Sequence, residues 1–142
     1  MKMKQLSIFL ENRPGRLGAL CGIIAEAGIN LTTLSLADSG DFGLLRLITP
    51  EPEKAVTAIE AAGYAVAVTE VIALQVPDRP GGLVSILSVL EPHGIGIEYM
   101  YAFATRSGGD AVMVLRFSDM ERAIPFLQMA GFNVLSAVEL LG

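Results

Sequence analysis

Apolar and polar residues follow two periods along the chain, and the resulting blocks come in the same order twice. Lys4 to Leu10 is a short apolar run of strand character. The turn Glu11-Asn12-Arg13-Pro14-Gly15 comes next. Leu17, Leu20, Cys21 and Ile24 then fall at i, i+3, i+4 and i+7, the stripe of an amphipathic helix, with Gly28 placed to end it. Ile29 to Ala37 and Phe42 to Thr49 read as strands flanking Asp38-Ser39-Gly40-Asp41, a hairpin turn by composition. Pro50-Glu51-Pro52-Glu53 opens a second helix, since its first turn tolerates proline and favours acids. Val56, Ile59 and Ala62 give that helix its apolar side, Gly63 caps it, and Tyr64 to about Thr69 is a further strand.

The second half repeats this order. Val71 to Val76 is a strand, and Leu83, Ile86, Leu87 and Leu90 repeat the helical stripe. Pro92 shortens this helix, because proline disfavours helix in the residue before it. Ile95 to Thr105 and Ala111 to Phe117 are strands around the turn Arg106-Ser107-Gly108-Gly109-Asp110. Ser118-Asp119-Met120-Glu121 has the form of a capping box. Ala123, Ile124 and Leu127 continue the helix, Gly131 ends it, and Phe132 to Leu140 reads as the last strand. Pro125 conflicts with that helix. A lost hydrogen bond there costs ~3 kcal/mol if uncompensated, so either a kink or a later start is expected.

Each half is therefore read as strand-helix-strand-strand-helix-strand. The fold class is α+β: two ferredoxin-like βαββαβ units, residues 1–70 and 71–142, with antiparallel sheets and helices on one face. A unit of about 70 residues buries only ~60% of its unfolded surface, so each half is expected to pack on the other or on a second chain. The strand faces agree with this. Ala111, Met113, Leu115 and Phe117 point one way while Val112, Val114 and Arg116 point the other, and Leu45 and Leu47 are backed by Leu44 and Ile48. Both sheet faces are expected to be substantially buried, by pairing of sheets within the chain or in a homodimer.

Composition narrows the function. A hydrophobic share of 52% fits buried interface, since no apolar run approaches the ~20 residues of a membrane helix. Met1-Lys2-Met3-Lys4 is basic, but Gln5, Ser7 and Glu11 interrupt the apolar run after it, and no signal peptide is expected. One cysteine, Cys21, makes no intrachain disulfide, which fits a cytoplasmic setting. A net charge of −5 without a block of Lys or Arg argues against nucleic acid. With one His and one Cys there is no Ser-His-Asp set, no Cys-x-x-Cys and no His-Glu-x-x-His, so no catalytic residue, metal or cofactor is predicted.

The candidate chemistry lies in a repeated loop. Asn12-Arg13-Pro14-Gly15-Arg16-Leu17 recurs as Asp78-Arg79-Pro80-Gly81-Gly82-Leu83, and each copy is followed at the same distance by Gly-Ile, at Gly28-Ile29 and Gly94-Ile95. With this order of elements, the sequence resembles tandem ACT domains over nearly its whole length. The resemblance implies a small regulatory protein that binds a free amino acid where ACT domains pair and that controls a partner enzyme. In serine-binding ACT domains, asparagines in the Pro-Gly loop and at the start of the second strand contact the ligand, and Asn12 and Asn30 match those positions. In the second unit Asp78 and Gly96 stand there instead, so the two loops are not expected to be equivalent.

Elementary chemistry supports such a loop. A ligand carboxylate seeks N–H donors, which a helix start supplies together with a partial positive charge. Gly15 and Gly81 let a ligand approach the backbone, while Asn12 and Asp78 offer oxygen acceptors to an ammonium, and Asn30 is placed to converge on the same point. The first candidate set is Asn12, Arg13, Pro14, Gly15, Arg16 and Leu17 with Asn30 and Leu31. The second is Asp78, Pro80, Gly81, Gly82 and Leu83 with Gly96 and Ile97. Structural roles compete for each: Asn12 and Asp78 are good helix N-caps, and the arginines suit a solvated surface. Acylphosphatases share the topology, but their glycine-rich phosphate loop has no match here. The stronger alternative is a dimerisation scaffold that takes no small ligand.

Overall fold

The computed structural model describes residues 2–107 and 109–141. It contains strands β1 (Met3–Glu11), β2 (Thr33–Ser39), β3 (Phe42–Ile48), β4 (Val66–Val76), β5 (Ile97–Ser107), β6 (Asp110–Phe117) and β7 (Val134–Leu135). Its helices are α1 (Arg16–Glu26), α2 (Pro52–Ala61), α3 (Gly82–Leu90), α4 (Met120–Met129) and α5 (Ala137–Leu141). Two compact units emerge. One comprises Lys4–Thr69 with Leu141, the other Glu70–Leu140 with Lys2 and Met3.

In the first unit the strand order is β2-β3-β1-β4. Leu6, Ile8 and Leu10 of β1 lie opposite Leu47, Leu45 and Gly43 of β3. The leucines and isoleucines among them share one core with Leu20 and Ile24 of α1 and Ala55 and Ile59 of α2. The helical stripe read from the sequence is thus the face that α1 buries. In the second unit the order is β5-β6-β4, with β7 on β4. Ile72, Leu74, Leu115 and Phe117 pack there with Ile86 and Leu90 of α3 and Ala123 and Leu127 of α4. Both orders follow the ferredoxin-like pattern expected from the repeat.

Several expectations change. The runs ending at Thr69 and starting at Val71 are one continuous strand, β4, because nothing at Glu70 breaks the extended backbone. Strand β2 starts at Thr33 rather than at Ile29, so Asn30 and Leu31 lie in a loop. The long last strand shrinks to Val134–Leu135. Ser136 then caps α5: its Oγ accepts from Glu139 N at 3.2 Å, and Glu139 Oε1 accepts from Ser136 N at 3.3 Å. That reciprocal pair is a capping box. Pro92 does end α3, with Glu91–His93 forming a single 3-10 turn. Pro125 sits inside α4, which starts at Met120 with no later start forced by the proline. The α4 cap is Asp119, accepting from Arg122 N at 3.1 Å, whereas Ser118 Oγ accepts from Gly96 N at 3.0 Å. The predicted turn at Arg106–Asp110 includes Gly108, which lies outside the described residues.

The sheet faces away from the helices are mixed. Val112, Val114 and Ala73 are buried there, and so are Gln5 and Ile48. Phe9 and Phe42, by contrast, are 62% and 51% exposed.

Candidate functional site

The two Pro-Gly loops share one backbone design. Gly15 has φ 90° and Gly81 φ 84°, the left-handed region that suits glycine, and each stands immediately before its helix. Arg16 N donates to Arg13 O and Gly82 N to Arg79 O, closing equivalent turns. Ala19 N reaches Gly15 O and Ser85 N reaches Gly81 O, both at 3.0 Å, so each helix begins on its glycine carbonyl. Neither helix has a side-chain cap, so Asn12 and Asp78 are not its N-caps. The glycine occupies that position instead. Helix geometry leaves the Leu17 and Gly18 N–H groups of α1 without a carbonyl inside the helix.

The Asn12 side chain turns to the β2–β3 hairpin instead. Its Nδ2 donates to Gly40 O at 3.1 Å and to Asp38 Oδ1 at 3.5 Å, and its backbone N donates to Asp41 O at 2.8 Å. Gly40 N also donates to Asp38 Oδ1, at 3.1 Å. Asn12 thereby ties the β1–α1 loop to the hairpin while its own Oδ1 keeps acceptor capacity.

This clasp borders a cleft of about 180 Å³ lined by Leu10, Glu11, Asn12, Arg13, Leu17, Leu36, Ala37, Asp38 and Gly43. Its charges are unevenly matched. Glu11 pairs with Arg13 at 2.7 Å and with Arg16 at 3.7 Å. Among the described residues no cation pairs with Asp38, whose carboxylate meets only the Asn12 amide and the Gly40 N–H. The cleft therefore combines an apolar wall, an uncompensated carboxylate and the start of a helix.

Of the first candidate set, Asn12, Arg13 and Leu17 line this cleft. Pro14 and Gly15 form the exposed turn beside it, and Arg16 lines a neighbouring hollow with Phe9, Phe42 and Tyr64. Asn30 and Leu31 do not converge with them in the unit. They come after α1, whose eleven residues span about 16 Å, whereas Asn12 precedes it. Leu31 packs against the core and Asn30 is exposed. Leu10, Glu11, Leu36, Ala37, Asp38 and Gly43 join the cleft although the loop motif does not include them. Their signal is the strand register that sets Asp38 of β2 and Leu10 of β1 on either side of Gly43 in β3; composition alone marks Asp38 only as a turn residue.

The second loop differs in its packing. A Cβ on Gly82 would stand 1.9 Å from Pro77 O, so this position admits only glycine, where the first loop carries Arg16. Asp78, Pro80, Gly81 and Leu83 are exposed. Gly96 is clamped to Ser118 by bonds in both directions, and Ile97 opposite Phe117 packs on the core. By register, Arg106 stands opposite Ala111 in the second unit where Asp38 stands opposite Gly43 in the first.

Among the described residues no three His, Cys, Asp or Glu side chains gather as a metal site, and no helix is long and apolar enough to cross a membrane. The sequence matches the family described as ACT domain pair over residues 1–139. No curated protein matches the chain. Among solved structures, a protein of Bacteroides thetaiotaomicron is 40% identical over 99% of this chain and 96% of its own, with a TM-score of 0.91. The ligand-free regulatory subunit of aspartate kinase from Thermus thermophilus shares the fold at a TM-score of 0.65 and 13% identity, over 90% of this chain and 92% of that one. The corresponding subunit from Thermus flavus aligns at a TM-score of 0.64 and 14% identity, covering 92% and 93%.

Proposed function

We propose, since the chain belongs to the ACT domain pair family, that it is a cytoplasmic regulatory protein which binds a free α-amino acid and relays its level to a partner enzyme. The observation that carries this reading is the first-unit cleft. Asp38, which no cation pairs among the described residues, lines it with Asn12, whose Oδ1 keeps acceptor capacity, and with Leu17 of the first turn of α1. An α-amino acid carries the complementary pair of charges on adjacent groups. Its ammonium suits Asp38 and Asn12, and its carboxylate suits the helix start. A volume near 180 Å³ is below the ~300–1,000 Å³ of drug-sized pockets and fits a ligand of this size.

The reading has a homodimer as the working form. Asn30 and Leu31, beyond the far end of α1, join a ligand there only when another ACT domain presents them. The second loop, with Gly82 packed on Pro77 and Asp78 in the asparagine's place, serves the fold rather than the ligand. A bound amino acid shifts the protein between states only by its difference in affinity for them, and the clasped β2–β3 hairpin is the element nearest to report that shift.

Thermal unfolding in the presence of each of the twenty amino acids tests this. A ligand at ~100 times its dissociation constant stabilises the native state by about 2.7 kcal/mol. One or a few amino acids should raise the melting temperature, and Asn12→Ala should weaken their binding by ~1–3 kcal/mol through the loss of a polar partner. The competing reading, an interaction scaffold, draws on the exposed Phe9 and Phe42. Self-association abolished by Phe9→Ser, with no thermal response to any amino acid, would decide for it.

A further inference from the structure

We infer that the first-unit cleft selects an amino acid with an uncharged aliphatic side chain, and that Leu36 sets this preference. The inference rests on the amino-acid-binding reading above. Its first support is charge. Glu11, Arg13 and Asp38 are the charged residues of the cleft. Glu11 is already shared between Arg13 and Arg16. Asp38 is claimed by the ligand's own ammonium. A charged ligand side chain would find no free counter-charge, and burying an unpaired charge is costly.

Its second support is the wall. Leu10, Leu17 and Leu36 supply apolar surface, and Leu36 is 51% exposed although it shares the helix-side face of the sheet with its register partner Leu45. A ligand alkyl group would cover surface that the fold leaves open. Gly43 explains how Leu36 is held. Its φ is not positive, and no register shift interrupts its ladder with Asp38 or Leu10, so the backbone does not demand glycine there. Glycine inside a strand otherwise marks a close approach. A Cβ on Gly43 would stand 3.1 Å from Leu36 Cδ1, so a side chain there would press on the tip of Leu36 and shift it by a few tenths of an ångström. Gly43 is thus a positioning residue for the wall of the cleft.

Calorimetric titration of the full chain with glycine, alanine, valine, leucine, aspartate and lysine tests the inference. Valine or leucine should bind at least ~10-fold more tightly than glycine, since each added methylene in an apolar pocket is worth ~10-fold or more. Leu36→Ala, at a half-exposed position where folding is retained, should weaken valine and leucine by ~10-fold and leave glycine within ~3-fold. Gly43→Ala should move the same ligands in the same direction. Three results would overturn the inference. If aspartate or lysine binds as tightly as leucine, and Asp38→Asn abolishes that binding, the site stands but its aliphatic preference does not. Equal loss for every ligand in Leu36→Ala removes Leu36 as the selecting residue. Binding of none of the six overturns the inference, and the amino-acid reading falls with it only if none of the twenty amino acids raises the melting temperature.

Discussion

Gly82 shows how much one residue can decide. Its sequence neighbours suggest only a loop glycine, yet the Pro77 carbonyl fills the space that a methyl group would need. Gly82→Ala should therefore destabilise the protein by about 1–3 kcal/mol, read as a fall in the midpoint of urea unfolding. Arg16→Ala, at the equivalent exposed position of the first loop, should change it by no more than about 0.5 kcal/mol. A second residue-level expectation concerns acid. The Lys4 ammonium bonds to the Glu53 carboxylate at 2.6 Å and holds the Glu53 carboxyl below its usual range. A depressed folded pKa contributes stability above the unfolded value, and that contribution is lost as pH falls through the folded one. In Lys4→Gln the Glu53 titration midpoint, followed by carbon NMR, should rise toward the ordinary glutamate range. An unchanged midpoint would show that the pair does not persist in water. Asn12 is legible in the sequence as a polar residue at the mouth of the loop. Its hold on Asp38 and Gly40 is not, because the pairing of β1 with β3 is what brings hairpin and loop, far apart in sequence, together.

At the scale of elements, periodicity shows which segments form helices and where their apolar stripes lie, and it misjudges their ends. Ser118 and Asp119 both suit a cap. Only the sheet decides between them, since Ser118 is drawn off to Gly96 N and Asp119 is left facing Arg122 N. Asp119→Ala should cost about 1 kcal/mol of stability, measured by chemical denaturation. The tail defeats the strand expectation, although Phe132 to Leu140 is apolar enough to suit one. The local signal Ser136-x-x-Glu139 has the spacing of a capping box, and it wins once β7 has made its two ladder pairs with β4. Pro125 removes one amide from α4 without ending it, because Ala123, Leu127 and Met120 anchor the helix on the core.

At the scale of the molecule, the repeat makes the fold class and the order of elements legible, because both copies keep the same periods and the same glycines. The residues of the proposed site do not follow that symmetry. Asn12, Asp38 and Gly43 of the first unit correspond to Asp78, Arg106 and Ala111 of the second, and Arg16 to Gly82. An acceptor becomes a charge, an anion becomes a cation, and the bare strand position gains a methyl. Titration should accordingly give one amino acid bound per chain, and two equal sites would contradict this assignment. The grouping of Lys2 and Met3 with Glu70–Leu140 adds a matter of timing. Met3 is buried and Lys2 pairs with Glu121, 119 positions later in the chain. Lys2 and Met3 precede the unit Lys4–Thr69 in sequence, whereas their partners follow it. That unit can close while synthesis continues, but the second is complete only once segments from both sides of it have met.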